Sequence, residues 1–252
     1  MKIQYCSDLH LEFRENKEYL KANKLKPVAD VLILAGDIVP FCIMDKHADF
    51  FRYVADNFKF TYWIPGNHEY YNSDAVKRSG VLKEKIKSNV FLVNNLSVQH
   101  NDVRFIFSTL WSHINPANEW YIEKSISDFQ LIRYNGYRFS CPPFNELYKN
   151  SLTFITEEVS KSHTGKTVMV THHVPTFLNY PVKYKGDILN EAFGVELFSF
   201  IESSDINCWI YGHHHHNTPS FTIGKTLMLT NQLGYVQQGE HHLFDNAKTI
   251  NL

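Results

Sequence analysis

Apolar and polar positions along this chain fall into short blocks, many of which break into a polar cluster. KIQYCSDLH alternates and then stops at Asp8 and His10, the period-two signature of a strand. VLILAGDIV is a continuous apolar run broken by Gly36-Asp37, as a strand covered on both faces would be. FTYWIPGNHEY is a third run and ends in Pro65-Gly66-Asn67-His68. Between the second and third runs, HADFFRYVADNF (47–58) carries apolar residues at helical spacing. DAVKRSGVLKEKIK (74–87) reads as a second helix, ahead of the strand VFLVNN. SVQHNDVRFIFSTLW reads as a hairpin turning at Asn101-Asp102.

The second half repeats the theme after an irregular stretch, 111–142. NELYKNSLTFITEEVSK (145–161) has a helical pattern and follows Pro142-Pro143. TVMVTHHVP is a strand ending in histidines, EAFGVELFSFIES (191–203) is helical, and NCWIYGHHHH is a strand. PSFTIGKTLMLTN is a second hairpin, turning at Gly224. Strand–helix alternation at both ends with hairpins between them predicts an α/β layered fold with mixed sheets. There is no internal repeat or linker, so residues 1–252 are expected to form a single domain, with 111–142 as a substrate-shaping insert.

Composition narrows the function classes. The 252 residues are 44% hydrophobic and 20% charged, as in a globular domain. A formal net charge of −1 provides no global basic field, so bulk electrostatic binding of nucleic acid is not expected. No apolar run approaches membrane-spanning length. The chain starts in a strand-like segment rather than a charged-then-apolar leader, so a cytoplasmic protein is expected. Cys6, Cys42, Cys141 and Cys208 lack C-x-x-C spacing. Cys6, Cys42 and Cys208 lie in or beside apolar segments and are expected to be buried reduced thiols.

The polar clusters then gain meaning together. Asp8 and His10, Asp37, Asn67 and His68, His172, and His213 with His215 each follow an apolar run. Singly, each is an ordinary turn or a core histidine pair. Jointly they place oxygen and imidazole donors where ligands bind in open α/β sheets, beyond the carboxyl ends of strands. Without thiolates, that donor set suits Mn, Fe or Zn in a reactive rather than a structural site. In Asp8-Leu9-His10 and His213-His214-His215, the outer residues of an extended triplet would point the same way. His214 and His216 are then outer-face or supporting groups.

In order, DLH, GD, GNHE, THH and GHHH resemble the five motifs of the calcineurin-like metallophosphoesterases. That resemblance spans Asp8 to His215 and implies a four-layer sandwich of two mixed β-sheets flanked by helices. It also implies a centre of two divalent or mixed-valence metal ions (Mn, Fe or Zn). One ion would take Asp8, His10, Asp37 and His215; the second would take Asp37 as a shared bridge with Asn67, His172 and His213. His68 would be the catalytic histidine near the leaving group. Many relatives have threonine where this chain has His214.

The chemistry is coherent in its own terms. Two cations about 3.5–4 Å apart clamp an in-line displacement at phosphorus and bring a bound water's pKa toward neutrality. A carboxylate such as Asp37 bridges two cations, which a neutral imidazole cannot do. Glu69, next to His68, either orients that ring or serves as a surface or helix-cap residue. His173 and Asn217 adjoin ligands and are expected to support them. Substrate selection is expected from 111–142 and 176–190. The aromatics Trp111, Trp120, Tyr121, Phe129, Tyr134, Tyr137 and Phe139 there either pack the insert or stack a base. His113 is expected to be structural, and Arg133, Arg138, Lys183 and Lys185 to be solvated.

The expected activity is hydrolysis of a phosphodiester or phosphomonoester, with a small phosphate ester as the partner and no strong nucleic-acid signature. Protein phosphatase, nuclease and non-catalytic metal-binding scaffold are the alternatives. A full set of ligand positions disfavours the scaffold, and the sequence leaves the oligomeric state open.

Overall fold

The computed structural model describes all 252 residues. The first half comprises β1 (Lys2–Cys6), α1 (Arg14–Ala22), β2 (Val31–Ala35), α2 (Ala48–Asn57), β3 (Phe60–Ile64), β4 (Leu82–Lys87) and β5 (Val90–Asn94). The hairpin β6 (Leu96–His100) and β7 (Val103–Ser108) follows, then α3 (Glu119–Ser125), α4 (Asp128–Leu131) and the small pair β8 (Arg133–Tyr134) and β9 (Tyr137–Arg138). The remainder is α5 (Cys141–Ser160), β10 (Lys166–Thr171), α6 (Phe198–Ser203), β11 (Cys208–Ile210), β12 (Phe221–Ile223), β13 (Thr226–Leu229) and β14 (Thr249–Asn251).

Two six-stranded sheets result, ordered β14-β1-β2-β3-β5-β4 and β12-β13-β11-β10-β7-β6. Each has parallel central strands and antiparallel edges. The inner faces pack together through Ile3, Ile33 and Ile64 on one side and Phe105, Phe107, Val168 and Ile210 on the other. Each such side chain removed from water contributes roughly 1.5–3 kcal/mol before entropy is counted. Helices α1 and α2 cover the outer face of the first sheet over Leu32, Leu34 and Trp63. Helices α5 and α6 cover the second over Ile106, Met169 and Trp209. The expected four-layer sandwich is therefore the fold observed. No helix is long and apolar enough to cross a membrane.

Several local expectations need correction. Residues 82–87 of the expected 74–87 helix form the edge strand β4, after a 3-10 turn at Ala75–Lys77. LKEKIK alternates between half-buried and exposed positions, and its outward lysines suit a sheet edge. The 191–203 segment divides into a 3-10 turn (Ile188–Ala192) and the short α6. Between them Gly194 bridges Val174, and a Cβ there would strike that residue. Helix α5 starts earlier than expected, with Pro142 and Pro143 inside its first turn, where the missing N–H groups cost nothing. Helix α1 and strand β14 have no counterpart in the sequence reading. Cys6, Cys141 and Cys208 are buried and unpaired, but Cys42 is exposed, correcting its expected burial.

The insert is largely a packing device. Trp111, Phe129, Phe139 and Phe144 form a separate core with Tyr70, leaving Trp120 and Tyr137 as its strongly exposed aromatics.

Candidate metal centre

The parallel strands β1, β2 and β3 lie side by side in one sheet, and β10 and β11 in the other. Their carboxyl ends deliver Asp8 and His10, Asp37, Asn67 and His68, His172, and His213 and His215 to one region. Donor atoms of Asp8, His10, Asp37 and His215 all lie within 4.8 Å of one another, and so do those of Asp37, His172 and His213. Asn67 joins the second group through Oδ1, 3.2 Å from His172 Nε2. Asp37 belongs to both groups.

The local backbone differs from the extended triplets expected. Asp8, His10, Asp37, His213 and His215 have φ of 56°, 46°, 55°, 78° and 49°. Each such left-handed residue costs about 1–2 kcal/mol, so surrounding bonds must hold it. Asp8 N donates to Gly36 O and His10 N to Asp37 O, both at 2.9 Å. His213 N donates to Asp8 Oδ1 at 3.0 Å, and His215 N to Gln232 Oε1 at 2.8 Å. The chain turns at these five donors; Asp8 and His10 converge on one group, while His213 and His215 separate into two.

Protonation of the rings tests whether cations fit. His215 Nδ1 donates to Glu240 at 2.8 Å, His10 Nδ1 to Glu12 at 3.2 Å, and His172 Nδ1 to Ala35 O at 2.9 Å. In each case the neutral ring would turn its Nε2 lone pair inward. His10 Nε2 and His215 Nε2 are 2.9 Å apart, and His215 Nε2 is 3.4 Å from Asp8. His172 Nε2 is 3.4 Å from Asp37. Acceptors meeting acceptors in a buried space call for positive charge. Burial opposes protonation of His215, but Asp8 and Glu240 outweigh it and raise the ring to about 10. Burial likewise opposes charge on His172, and Asp37 and Asp8 raise it to about 9. The residues present therefore fit cations in both groups.

His68 belongs to neither group but adjoins them: its N donates to Asp37 Oδ1 at 2.9 Å, and its ring lies 4.4 Å from that of His10, with which it and Glu12 form a further donor cluster. Its Nδ1 donates to Glu12 Oε1 at 2.8 Å, its ring stacks on Tyr71 at 4.1 Å, and its Nε2 lies 3.4 Å from Tyr235 Oη. Burial lowers its basicity, but Asp37 and Glu12 raise it more. Burial also works against ionisation of Glu12, yet its bonds to His10 and His68 bring it down to about 2. Glu12 is thus the carboxylate that orients His68. Glu69 instead accepts from Asp37 N at 2.9 Å, Ile38 N at 2.7 Å, Gly66 N at 2.6 Å and Trp63 Nε1 at 3.0 Å. It ties the Asp37 turn to the Asn67 turn.

Other neighbours are visible only in the fold. Asp128, from the insert, accepts from Asn67 Nδ2 and Tyr71 Oη, each at 2.8 Å. Gln232 donates through Nε2 to His216 O at 3.0 Å, and its side chain also contacts His214. Asn217 brackets the Gln232 backbone with two bonds of 2.7 Å. His214 is buried and stacks on Tyr180 and Tyr211, whereas His216 is exposed. His173 is wholly buried against Trp111 and His213, and neither ring nitrogen has a partner. His113 is exposed beside Tyr148, outside the cavity.

A cavity of about 350 Å³ opens over the two groups. Its walls include Tyr71, Asp128, Tyr180, Tyr184, Phe193 and Tyr235, and no lysine or arginine lines it. Residues of both 111–142 and 176–190 line it.

The two-sheet sandwich with donors gathered at its strand ends defines a metallophosphoesterase-type protein. The calcineurin-like phosphoesterase model matches residues 1–217, and the chain belongs to that family. It is 34% identical over 260 aligned positions to uncharacterized protein L509 of Acanthamoeba polyphaga mimivirus, covering 92% of this chain and 91% of that one. The phosphopantetheinyl hydrolase PptH of Mycobacterium tuberculosis superposes with a TM-score of 0.67 at 16% identity, over 96% of this chain and 92% of that one. A dimetal phosphatase from Danio rerio superposes with a TM-score of 0.51 at 13% identity, over 92% of this chain and 87% of that one.

Proposed function

We propose that this protein is a dimetal phosphoesterase that hydrolyses a small phosphodiester. The observation that carries the reading is the pair of inward-facing acceptor groups sharing Asp37 at the ends of both sheets. Asp8, His10, Asp37 and His215 would hold one cation, and Asp37, Asn67, His172 and His213 the other, with Mn, Fe or Zn suited to these donors. Bound there, the pair supplies Lewis acidity at phosphorus and lowers the pKa of water.

The chain's own groups supply the rest. The Glu12 carboxylate fixes the His68 ring through Nδ1, leaving Nε2 directed at the cavity beside Tyr235. From there the His68 imidazolium donates a proton to the departing ester oxygen. Asp128 holds the Asn67 amide by its nitrogen, which directs Oδ1 toward His172. Tyr71 and Phe193 cover His68 and His213 and restrict water. A monoester dianion carries one more negative charge than a diester, which charge-assisted bonds from lysine or arginine would favour, and neither residue lines the cavity. That absence supports the diester.

The test is a substrate panel on protein reconstituted separately with Mn, Fe and Zn, with metal content measured alongside. Bis-p-nitrophenyl phosphate is expected to turn over at least as well as p-nitrophenyl phosphate. A strong monoester preference would replace the diester reading with a phosphatase, and no hydrolysis by fully metallated protein would remove the enzymatic one.

A further inference from the structure

A second cavity, of about 400 Å³, opens between α1 and α2 on the helix-covered side of the first sheet. It shares no lining residue with the cavity over the metal centre. Leu11, Leu20 and Leu25 form a buried apolar floor, with Phe50 and Tyr53 half-buried beside them. Lys17 and Lys21, one turn apart on α1, and Lys24 just beyond it face Arg52 of α2 across the opening.

None of these four cations has an ionic partner, as is true of most lysines and arginines of the chain. The lysine and arginine ion pairs of the chain belong to Arg14, Lys59, Arg78, Lys161 and Lys225. Asp49 and Asp56 also line the opening, so four positive and two negative side chains leave an excess of two positive charges. Lys24 Nζ sits 5.6 Å over the Tyr53 ring.

His47 adds an imidazole whose ring nitrogens are open to solvent. It lines the same cavity and is only 5% exposed, yet its ring has no hydrogen-bond partner in the protein. Here the open direction is the cavity itself.

We propose that this cavity binds an organic phosphate. Lys17, Lys21, Lys24 and Arg52 receive the phosphate oxygens, His47 hydrogen-bonds at the inner end, and Phe50 and Tyr53 take the apolar part. The volume lies within the range of small-molecule sites, and the mixed lining matches a ligand with one anionic and one flat apolar end. The assignment is independent of the reaction proposed for the metal centre.

Calorimetric titration of the metal-loaded protein with benzylphosphonate tests it, because the carbon–phosphorus bond resists hydrolysis. Wild type is expected to bind the probe at a site that Lys21→Ala/Arg52→Ala weakens about tenfold or more, as loss of charge-assisted bonds should. Both replaced side chains are exposed, and unchanged turnover of bis-p-nitrophenyl phosphate by the variant would confirm an intact fold. Equal binding by wild type and variant would overturn the site. Methylphosphonate binding there as tightly would overturn the apolar half, and benzyl alcohol binding as tightly would overturn the anionic half.

Discussion

The Nδ1–H of His68 donates to the Glu12 carboxylate at 2.8 Å, joining the turn after β3 to the turn after β1. Only the ionised, acceptor-only form of Glu12 fixes the His68 tautomer unambiguously. Glu12→Gln should keep the shape but lose that preference, because an amide can present either end to the ring. Turnover is expected to fall by roughly 10- to 100-fold, within the span of general acid–base contributions, while metal content stays at the wild-type value. Loss of metal would show that Glu12 acts mainly through His10, which it also contacts at 3.2 Å.

His68→Asn should retain metal and lose rate, and the loss should depend on the leaving group. Proton donation matters most for a basic alkoxide and least for p-nitrophenolate, so the deficit is expected to reach about 10²–10⁴-fold only on an alkyl ester. Rates on matched alkyl and p-nitrophenyl esters decide the matter. Equal deficits would assign His68 to phosphate positioning instead.

Asp37 is the carboxylate common to the two acceptor groups. Asp37→Ala should therefore reduce both metal stoichiometry and activity, with near-complete loss of turnover. Asp8→Ala, which affects one group, should leave more metal bound. Metal analysis by mass spectrometry separates the outcomes, and two retained metals in Asp37→Ala would disprove the bridge.

Gly66 tests the backbone around the ligands. A Cβ at this position would lie 2.6 Å from His172 Nε2 and closer still to Asp37 Oδ1, far inside van der Waals contact. Gly66→Ala should displace these side chains and lower metal affinity although no ligand is changed. Circular dichroism should stay native-like while bound metal falls. Wild-type metal content in this variant would mean the two ligand turns are looser than their hydrogen bonds indicate.

Much of this protein was legible in one dimension because its central strands are buried. Continuous runs such as VLILA and VFLVN follow from burial on both faces, and they located β2 and β5. Edge elements were harder. β4 is a lysine-rich segment whose apolar residues Leu82 and Ile86 lie four apart, a spacing that fits a helix as well as a strand, and β14 is only three residues long. Helix α1 buries just Asn16 and Leu20, too little for a strong apolar period.

The sequence by itself determined where the candidate metal ligands sit along the chain, because each follows a strand and motif spacing is a local property. It placed Asp8, His10, Asp37, Asn67, His68, His172, His213 and His215 at strand ends, and the fold gathers all of them. Only tertiary structure decided how they divide and what orients them. His213 and His215 enter different groups whereas Asp8 and His10 share one, although all four turn through left-handed backbone. Glu12 rather than Glu69 reaches the His68 ring, and Glu240 reaches His215 from 25 residues away. Asp128 reaches Asn67 across 61 residues of chain. Such partners are chosen by the packing of separate strands and loops in space, a relationship that carries no period or spacing in the sequence.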